Sequence, residues 1–397
     1  MSKILLSTDI GSDPDDALSL LSMLNNPDIG LRGIYTVNGK VNCRAYIVKQ
    51  MLNLAQKNIP IGVGTSKSID GKLEPYTFHE EFLFDYDHFV DKKATNSSGS
   101  KIIYKSLNKL GIIENGLEHM AEQLRNDKHI VFSIAPLTDI SLLKKIYPES
   151  FKNIERLFIM GSNVEGELEH NFRFDSVAAN EVLSSDVPIT LIPSYLCSKF
   201  RIPLEMLDSL DNTLVGQYVK MMVYAFVGEK LIDKTGGELV DGIDFTSFLR
   251  RLSASNGDGK VENEEHFRIS NFNKCFLTNF ENGSPSLAQS DFWKDFDEFV
   301  NNLKNPNLSY VYEGSYVGTY MGSMAAERLE SLIPKFISIA DVYVPYCYLH
   351  PDKLKTKRMT VNCDYKGNTY VTKGNKHEVV VDLDFEHFKQ FLKESLH

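Results

Sequence analysis

Short apolar runs alternate with amphipathic stretches through the first half of the chain. "KILLS" at 3–7 reads as a buried strand, and "DDALSLLSMLNN" at 15–26 repeats its apolar residues at helical spacing. The same alternation predicts strands at 30–36, 59–63, 129–134, 156–160 and 188–192. Between them, helices are predicted at 43–56, 117–126, 137–146 and 176–183. Strands alternating with helices in this way imply βαβ units. The expected fold class is therefore α/β, an open, mostly parallel Rossmann-like sheet with helices on both faces. From about 201 to 335 the pattern turns helical and polar, with exposed loops expected at 253–266 and 281–291. "DGKVENEE" lacks the alternating ligand spacing of a calcium loop and reads as solvated. Strands resume at 359–365 and 369–372, followed by "HEVVVDLDFEHFKQFLKESL" as a strand and terminal helix. There is no internal repeat.

Composition narrows the function classes. The 397 residues, 42% hydrophobic and 24% charged, suit one large α/β domain with insertions. A net charge of −10 without a long basic cluster argues against nucleic-acid polymers as partners. No apolar stretch reaches 18 residues, so no membrane partner is expected, and the N-terminus does not read as a signal peptide. Five scattered cysteines without a C-x-x-C pair read as reduced thiols of a cytoplasmic protein, and make a cysteine zinc site improbable.

The chemistry concentrates in "TDIGSDPDDA", where Asp9, Asp13, Asp15 and Asp16 fall within eight residues. One or two carboxylates at a helix entrance are explained by capping and the helix dipole. Four either bind a hard divalent cation through oxygen or share a raised pKa; a cation is favoured over capping alone, and oxygen ligands suit Ca²⁺ or Mg²⁺ rather than zinc. In an open parallel sheet, ligands bind beyond the carboxyl ends of the strands. The segments that follow strands here are "TDIGSDPDD", "VNGKVN", "IAPLTD" and "MGSN", and they are expected to share one rim. A haloacid-dehalogenase-type phosphatase would need a second carboxylate two residues after Asp9, where Gly11 stands.

"TDIGSDPDDALSLL" resembles the N-terminal signature of the inosine–uridine nucleoside hydrolase family. The likeness continues in order. "LRGIYTVNGKVN" is similar to the family's second-strand segment, and "IAPLTDI" to its T-G-P-L-T-N-I motif. "LFIMGSN…EHNFRFDSVAANEVL" is similar to its M-G-G…E-x-N-x-x-x-D-P-E-A-A segment, and "SIADVYVPYCYLHPD" to its late Asp-containing helix. The closing strands and helix match as well. The resemblance covers nearly all of residues 1–397 as one domain, apart from a mainly helical insertion at about 205–330 that is longer than the family's usual one.

The resemblance implies a Ca²⁺-dependent N-ribohydrolase of nucleoside salvage that splits a nucleoside or nucleoside-like riboside into ribose and free base. It implies Asp9, Asp16, Asp341 and the Ile134 carbonyl as metal ligands, with Asp9 also the general base. Asp15 would hold the ribose 2′- and 3′-hydroxyls, Glu169 and Asn171 the 3′- and 5′-hydroxyl regions, and Asn163 would assist. Family members are often dimers or tetramers, so a homo-oligomer is expected. The chemistry agrees: an oxocarbenium-like transition state needs carboxylates near the developing positive charge.

The departures from the pattern are specific. Asp13 and Pro14 are in effect added inside the signature, and Asp13 reads as a turn residue. Ser7 stands where most members have Asp, and Lys40 stands near a family Asn. Ala340 occupies the place of a His that protonates the leaving base in nonspecific members. His79 and His170 are weaker alternatives for that acid, and Tyr312, Tyr316 and Tyr320 at helical spacing read as a packing face. The segment between Met160 and Glu169 is short. A non-catalytic, metal-dependent nucleoside or ribose binding protein is the competing function.

Overall fold

The computed structural model describes residues 2–73, 106–164, 168–203, short pieces between 206 and 226, and 336–396. Residues Met1–Glu80, Lys105–Val223 and Phe336–His397 form one compact unit. The second, Glu81–Tyr104 with Tyr224–Lys335, lies almost wholly outside the described residues. The expected insertion, His79 and Tyr312, Tyr316 and Tyr320 therefore fall outside them too, apart from the short pieces before residue 227.

β1 (Lys3–Thr8) is apolar from Ile4 to Leu6 and buried on both faces, as a central parallel strand must be. α1 (Asp15–Asn25), β2 (Gly30–Thr36), α2 (Val41–Leu54), β3 (Ile61–Val63) and β4 (Ile112–Ile113) follow. Next come α3 (Gly116–Asn126), β5 (His129–Ser133), α4 (Thr138–Ile146), α5 (Pro148–Phe151) and β6 (Ile154–Met160). α6 (His170–Phe174), α7 (Ser176–Leu183), β7 (Ile189–Ile192) and α8 (Ser194–Cys197) complete the alternating half. A two-stranded ladder of β8 (Ile202–Pro203) and β9 (Phe336–Ile337) precedes α9 (Tyr343–Leu349), β10 (Leu354–Cys363), β11 (Thr369–Leu383) and α10 (Phe385–Ser395).

Among the described residues the main sheet has nine strands in the order β10-β11-β7-β6-β5-β1-β2-β3-β4. Every neighbouring pair is parallel except β10 with β11. The expected mostly parallel α/β sheet is thus the observed one. Strand order reverses at β1, which lies between β5 and β2, and this opens a crevice at the carboxyl ends of β1 and β5.

Alternation along the strands supplies both faces. Leu5, Val131, Leu157, Ile159 and Val379 join Met120 and Leu124 of α3, Leu143 of α4 and Val182 of α7 in one core cluster. On alternate positions Phe132 and Phe158 meet Tyr348 of α9, with ring centroids 5.4 and 5.9 Å apart. α1 packs against α9 and α10. The edge strand β10 carries exposed Lys355, Lys357 and Arg358, charges that discourage edge-to-edge pairing.

Buried His377 ties β11 to its surroundings. Its Nδ1 accepts from the Val361 N–H at 3.0 Å, so Nε2 carries the proton and donates to the Leu183 carbonyl at 3.0 Å. Burial lowers its pKa. This contribution to stability is present above the ordinary histidine value and fades as pH falls below it. His377→Ala is expected to cost about 1–3 kcal/mol at pH 7.5 and less at pH 5.5, read by urea unfolding.

Candidate active site

The acidic loop leaves β1 at the switch point. Gly11 has φ 116°, a conformation open to glycine, and turns the chain so that Asp9 stays buried while Asp13 faces solvent. α1 then begins behind Pro14, whose N-cap position makes no side-chain hydrogen bond. Asp15 and Asp16 occupy its first turn, where the dipole favours negative charge. That benefit does not account for their environment. Asp16 is buried and accepts a hydrogen bond from Thr8 Oγ1 at 2.5 Å.

Asp341 arrives from far along the chain, in a single turn (Ala340–Val342) ahead of α9. Ser19 Oγ on α1 donates to its carbonyl oxygen at 2.9 Å, fixing the turn against the helix that carries Asp15 and Asp16. One carboxylate oxygen from each of Asp15, Asp16 and Asp341 lies within 4.8 Å of the others. Asp16 and Asp341 are buried, whereas Asp15 is partly open.

Such crowding is costly without a cation. Burial first, then repulsion from Asp13 and Asp9, pushes Asp15 up to about 8. Burial raises Asp16 well above the usual carboxylate range, helped by Asp9 and Asp15. Asp341 rises likewise through burial and the charges of Asp15, Asp16 and Asp9. Asp9 is thus within electrostatic reach of all three, although it is not in the tight group of three. A set of hard oxygen donors that repel one another fits a divalent cation, which would offset that repulsion.

The remaining expected residues sit around the same rim. Ile134 follows β5 and its N–H donates to the Ser7 carbonyl at 3.0 Å, placing it beside the end of β1. Glu169 caps α6: its Oε1 accepts from the Asn171 N–H at 2.8 Å, and Oε2 from Phe172 at 2.9 Å and Ser162 at 3.3 Å. Asn171 Nδ2 donates to the Met160 carbonyl at 3.3 Å. Asn163 is anchored by its N–H to Thr369 Oγ1 at 2.9 Å, and its Oδ1 is buried without a partner. Buried Cys197 links the two groups. After burial and Cys347, the charges of Asp341, Asp15 and Glu169 all raise its thiol pKa.

The departures have visible settings. Ser7 is fully buried, with no partner for its hydroxyl. Ala340 is buried and its carbonyl accepts from Cys197 Sγ at 3.7 Å. His170 is exposed and stacks on Phe174 at 6.4 Å. Lys40 is half-buried at the start of α2.

Sequence reasoning missed the supports. Asn38, held at φ 68° in the loop after β2, donates from Nδ2 to Asp9 Oδ2 at 3.3 Å, and its N–H donates to the Thr65 carbonyl at 2.8 Å. Arg44 of α2 is fully buried and donates to the carbonyls of Asp9, Ile10 and Asn38 and to Ser12 Oγ. The only hint of it in sequence was an arginine on an otherwise apolar stretch of a predicted helix.

Asp139 lies one step further out. Both its oxygens accept from the Thr65 N–H, at 3.1 and 3.3 Å. A Cβ on Gly64 would lie 1.7 Å from Asp139 Oδ2, so only glycine admits this contact. Burial raises Asp139 from 3.8 to about 6. Its contribution to stability is therefore complete below the unfolded value and is lost as pH rises through about 6. Asp139→Asn should flatten stability between those values and leave the protein about 1–3 kcal/mol more stable at pH 7, measured by urea unfolding at pH 5 and 7.

The profile of the inosine-uridine preferring nucleoside hydrolase family matches residues 4–250, and the chain belongs to that family. It is 29% identical over 196 residues to the non-specific ribonucleoside hydrolase RihC of Klebsiella pneumoniae, covering 47% of this chain and 60% of that protein. It is 30% identical over 197 residues to RihC of Salmonella paratyphi A, again 47% and 60%. The match thus spans less than two thirds of these relatives' length. Among solved structures, a plant nucleoside hydrolase is similar over 100% of this chain and 98% of its own, with TM-score 0.60 at 13% identity. A purine-preferring ribonucleoside hydrolase from Gardnerella vaginalis gives 0.58 at 13%, over 99% and 98%. At such identity these likenesses establish the fold.

Proposed function

We propose that this chain hydrolyses the N-glycosidic bond of a ribonucleoside or nucleoside-like riboside, giving ribose and free base, with Ca²⁺ as its cofactor. The observation that carries the reading is the convergence of Asp15, Asp16 and Asp341 within 4.8 Å at the sheet's switch point. Asp9, Asp16, Asp341 and the Ile134 carbonyl would hold the cation. When bound, it supplies a lowered pKa for water and a fixed geometry for vicinal hydroxyls.

The protein's own groups do the rest. Asp15, the partly open member of the three, receives the 2′- and 3′-hydroxyls, while Asp9 takes up a proton from the attacking water. With Asn171 Nδ2 occupied by Met160, its Oδ1 accepts from a ribose hydroxyl. The Glu169 oxygens, already fixed by three backbone donors, accept from another, and Asn163 offers its unpartnered Oδ1. The surrounding negative charge stabilises the oxocarbenium-like sugar as the bond breaks.

The test is reducing-sugar release from a panel of ribosides, with Ca²⁺ and after EDTA. Ribose release that EDTA abolishes supports the reading. Cation-dependent binding without release from any riboside would establish the binding-protein alternative instead.

A further inference from the structure

We propose that Arg44 is the positioning residue for the Asp9 side of the cation site, acting through backbone and Asn38 rather than touching cation or substrate. The inference rests on the reading that the acidic cluster holds a divalent cation.

Arg44 is the fourth residue of α2, and its whole side chain is buried. A buried guanidinium is expensive unless its donors are met, so its partners show what it is for. Nε donates to the Asn38 carbonyl at 2.8 Å. Nη1 donates to the carbonyls of Asp9 and of Ile10, the latter at 3.0 Å. Nη2 donates to Ser12 Oγ at 2.9 Å. These acceptors belong to the loops that follow β1 and β2. The first loop contains Gly11 in its left-handed turn and runs directly into Asp13, Pro14, Asp15 and Asp16.

Asp9 is thereby held twice. Its carbonyl is gripped by Nη1, and its carboxylate receives Nδ2 of Asn38, whose own carbonyl is gripped by Nε. These two contacts of Asp9 both lead to one rigid fork. Ser12 fixes the far end of the same turn, so the guanidinium sets how far Asp9 stands from the first turn of α1. Its charge also lies near enough to Asp16 to favour the ionised carboxylate. A lysine brings charge without the planar fork and cannot serve four acceptors in fixed directions.

The test is calorimetric titration of the full chain with Ca²⁺, alongside kcat and KM on a hydrolysed riboside. Arg44→Lys and Ser12→Ala probe the fork, and His377→Ala is the control for a lowered melting temperature at a distance from the site. Arg44→Lys should weaken Ca²⁺ binding by about tenfold or more, and Ser12→Ala by a smaller factor. Excess Ca²⁺ should restore part of kcat, with KM for the riboside little changed. His377→Ala should lower the melting temperature and leave the Ca²⁺ Kd in place.

An unchanged Kd in folded Arg44→Lys overturns the proposal, as does a loss no greater than that of His377→Ala. If Arg44→Lys does not fold, Ser12→Ala decides, and an unchanged Kd there overturns it. If the native chain binds no Ca²⁺, the cation reading falls and takes this proposal with it. If native binding is intact and the variants match it, Arg44 alone loses its role.

Discussion

Asp16→Asn is expected to abolish measurable Ca²⁺ binding and to lower riboside turnover by roughly 10³-fold, while raising the melting temperature of the cation-free protein. The two effects have one cause. Asp16 is buried beside Asp9 and Asp15, and its carboxylate is driven toward the neutral form by burial and by those charges. A carboxyl whose folded pKa is raised stabilises the fold at low pH and loses that contribution as pH rises through the folded value. The cation-free protein should therefore weaken as pH climbs above 3.8, and Asp15, pushed up to about 8, adds to that loss as pH rises toward its own value. On the proposed reading Ca²⁺ binds the ionised forms, so its affinity should rise as pH increases. Thermal unfolding with EDTA and with Ca²⁺ should give curves that diverge as pH increases. Asp16→Asn should remove most of the divergence. A structural carboxylate held by Thr8 alone would show the opposite sign, losing stability on substitution.

Asp15→Asn separates sugar from cation. On the proposed reading it lowers kcat/KM by roughly 10³-fold, because the hydroxyls it receives help to hold the sugar as the bond breaks. The Ca²⁺ Kd should change by less than about tenfold. The grouping of Asp15 with Asp16 and Asp341 makes this a sharp question, since the three are mutually close enough to share one ion. Its partial exposure is what sets it apart from the two buried members. Calorimetry and steady-state kinetics on the same sample read the two effects independently. A loss of Ca²⁺ binding equal to that of Asp16→Asn would make Asp15 a ligand and remove it from the sugar.

Periodicity was a good guide wherever an element has one buried face or two. The strand at 30–36 and the helix at 176–183 coincide with β2 and α7. The predicted helix at 43–56 is displaced two residues from α2, because Val41 and Asn42 already belong to the helix behind Lys40. Short elements escaped. β4 has two residues and α6 five, too few to show a period, and α6 exists because Glu169 caps it from outside. The two late strand segments proved to be parts of a longer hairpin, whose exposed stretch of β11 has no apolar alternation to betray it.

The candidate site was legible where the sequence itself crowds carboxylates. The crowding of Asp9, Asp15 and Asp16 is itself a signal, since repulsion of that size needs an explanation. Asp341 could be reached only through resemblance, because nothing local marks an aspartate in "IADV" as a partner of residues more than three hundred positions away. Arg44, Asn38 and Asp139 were invisible for a related reason. Arg44 and Asp139 bind mainly backbone groups, and Asn38 the Asp9 carboxylate, across loops whose meeting depends on the strand order β5-β1-β2-β3.

The most direct test of the central claim is a crystal structure of the protein grown with Ca²⁺, read for one ion at the carboxyl ends of β1 and β5. The expected result is a single site bounded by carboxylate oxygens of Asp9, Asp16 and Asp341 and by the Ile134 carbonyl, with Asp15 turned toward the sugar position. An ion that leaves Asp9 or Asp341 outside its coordination shell, or no ion there at saturating Ca²⁺, would contradict it.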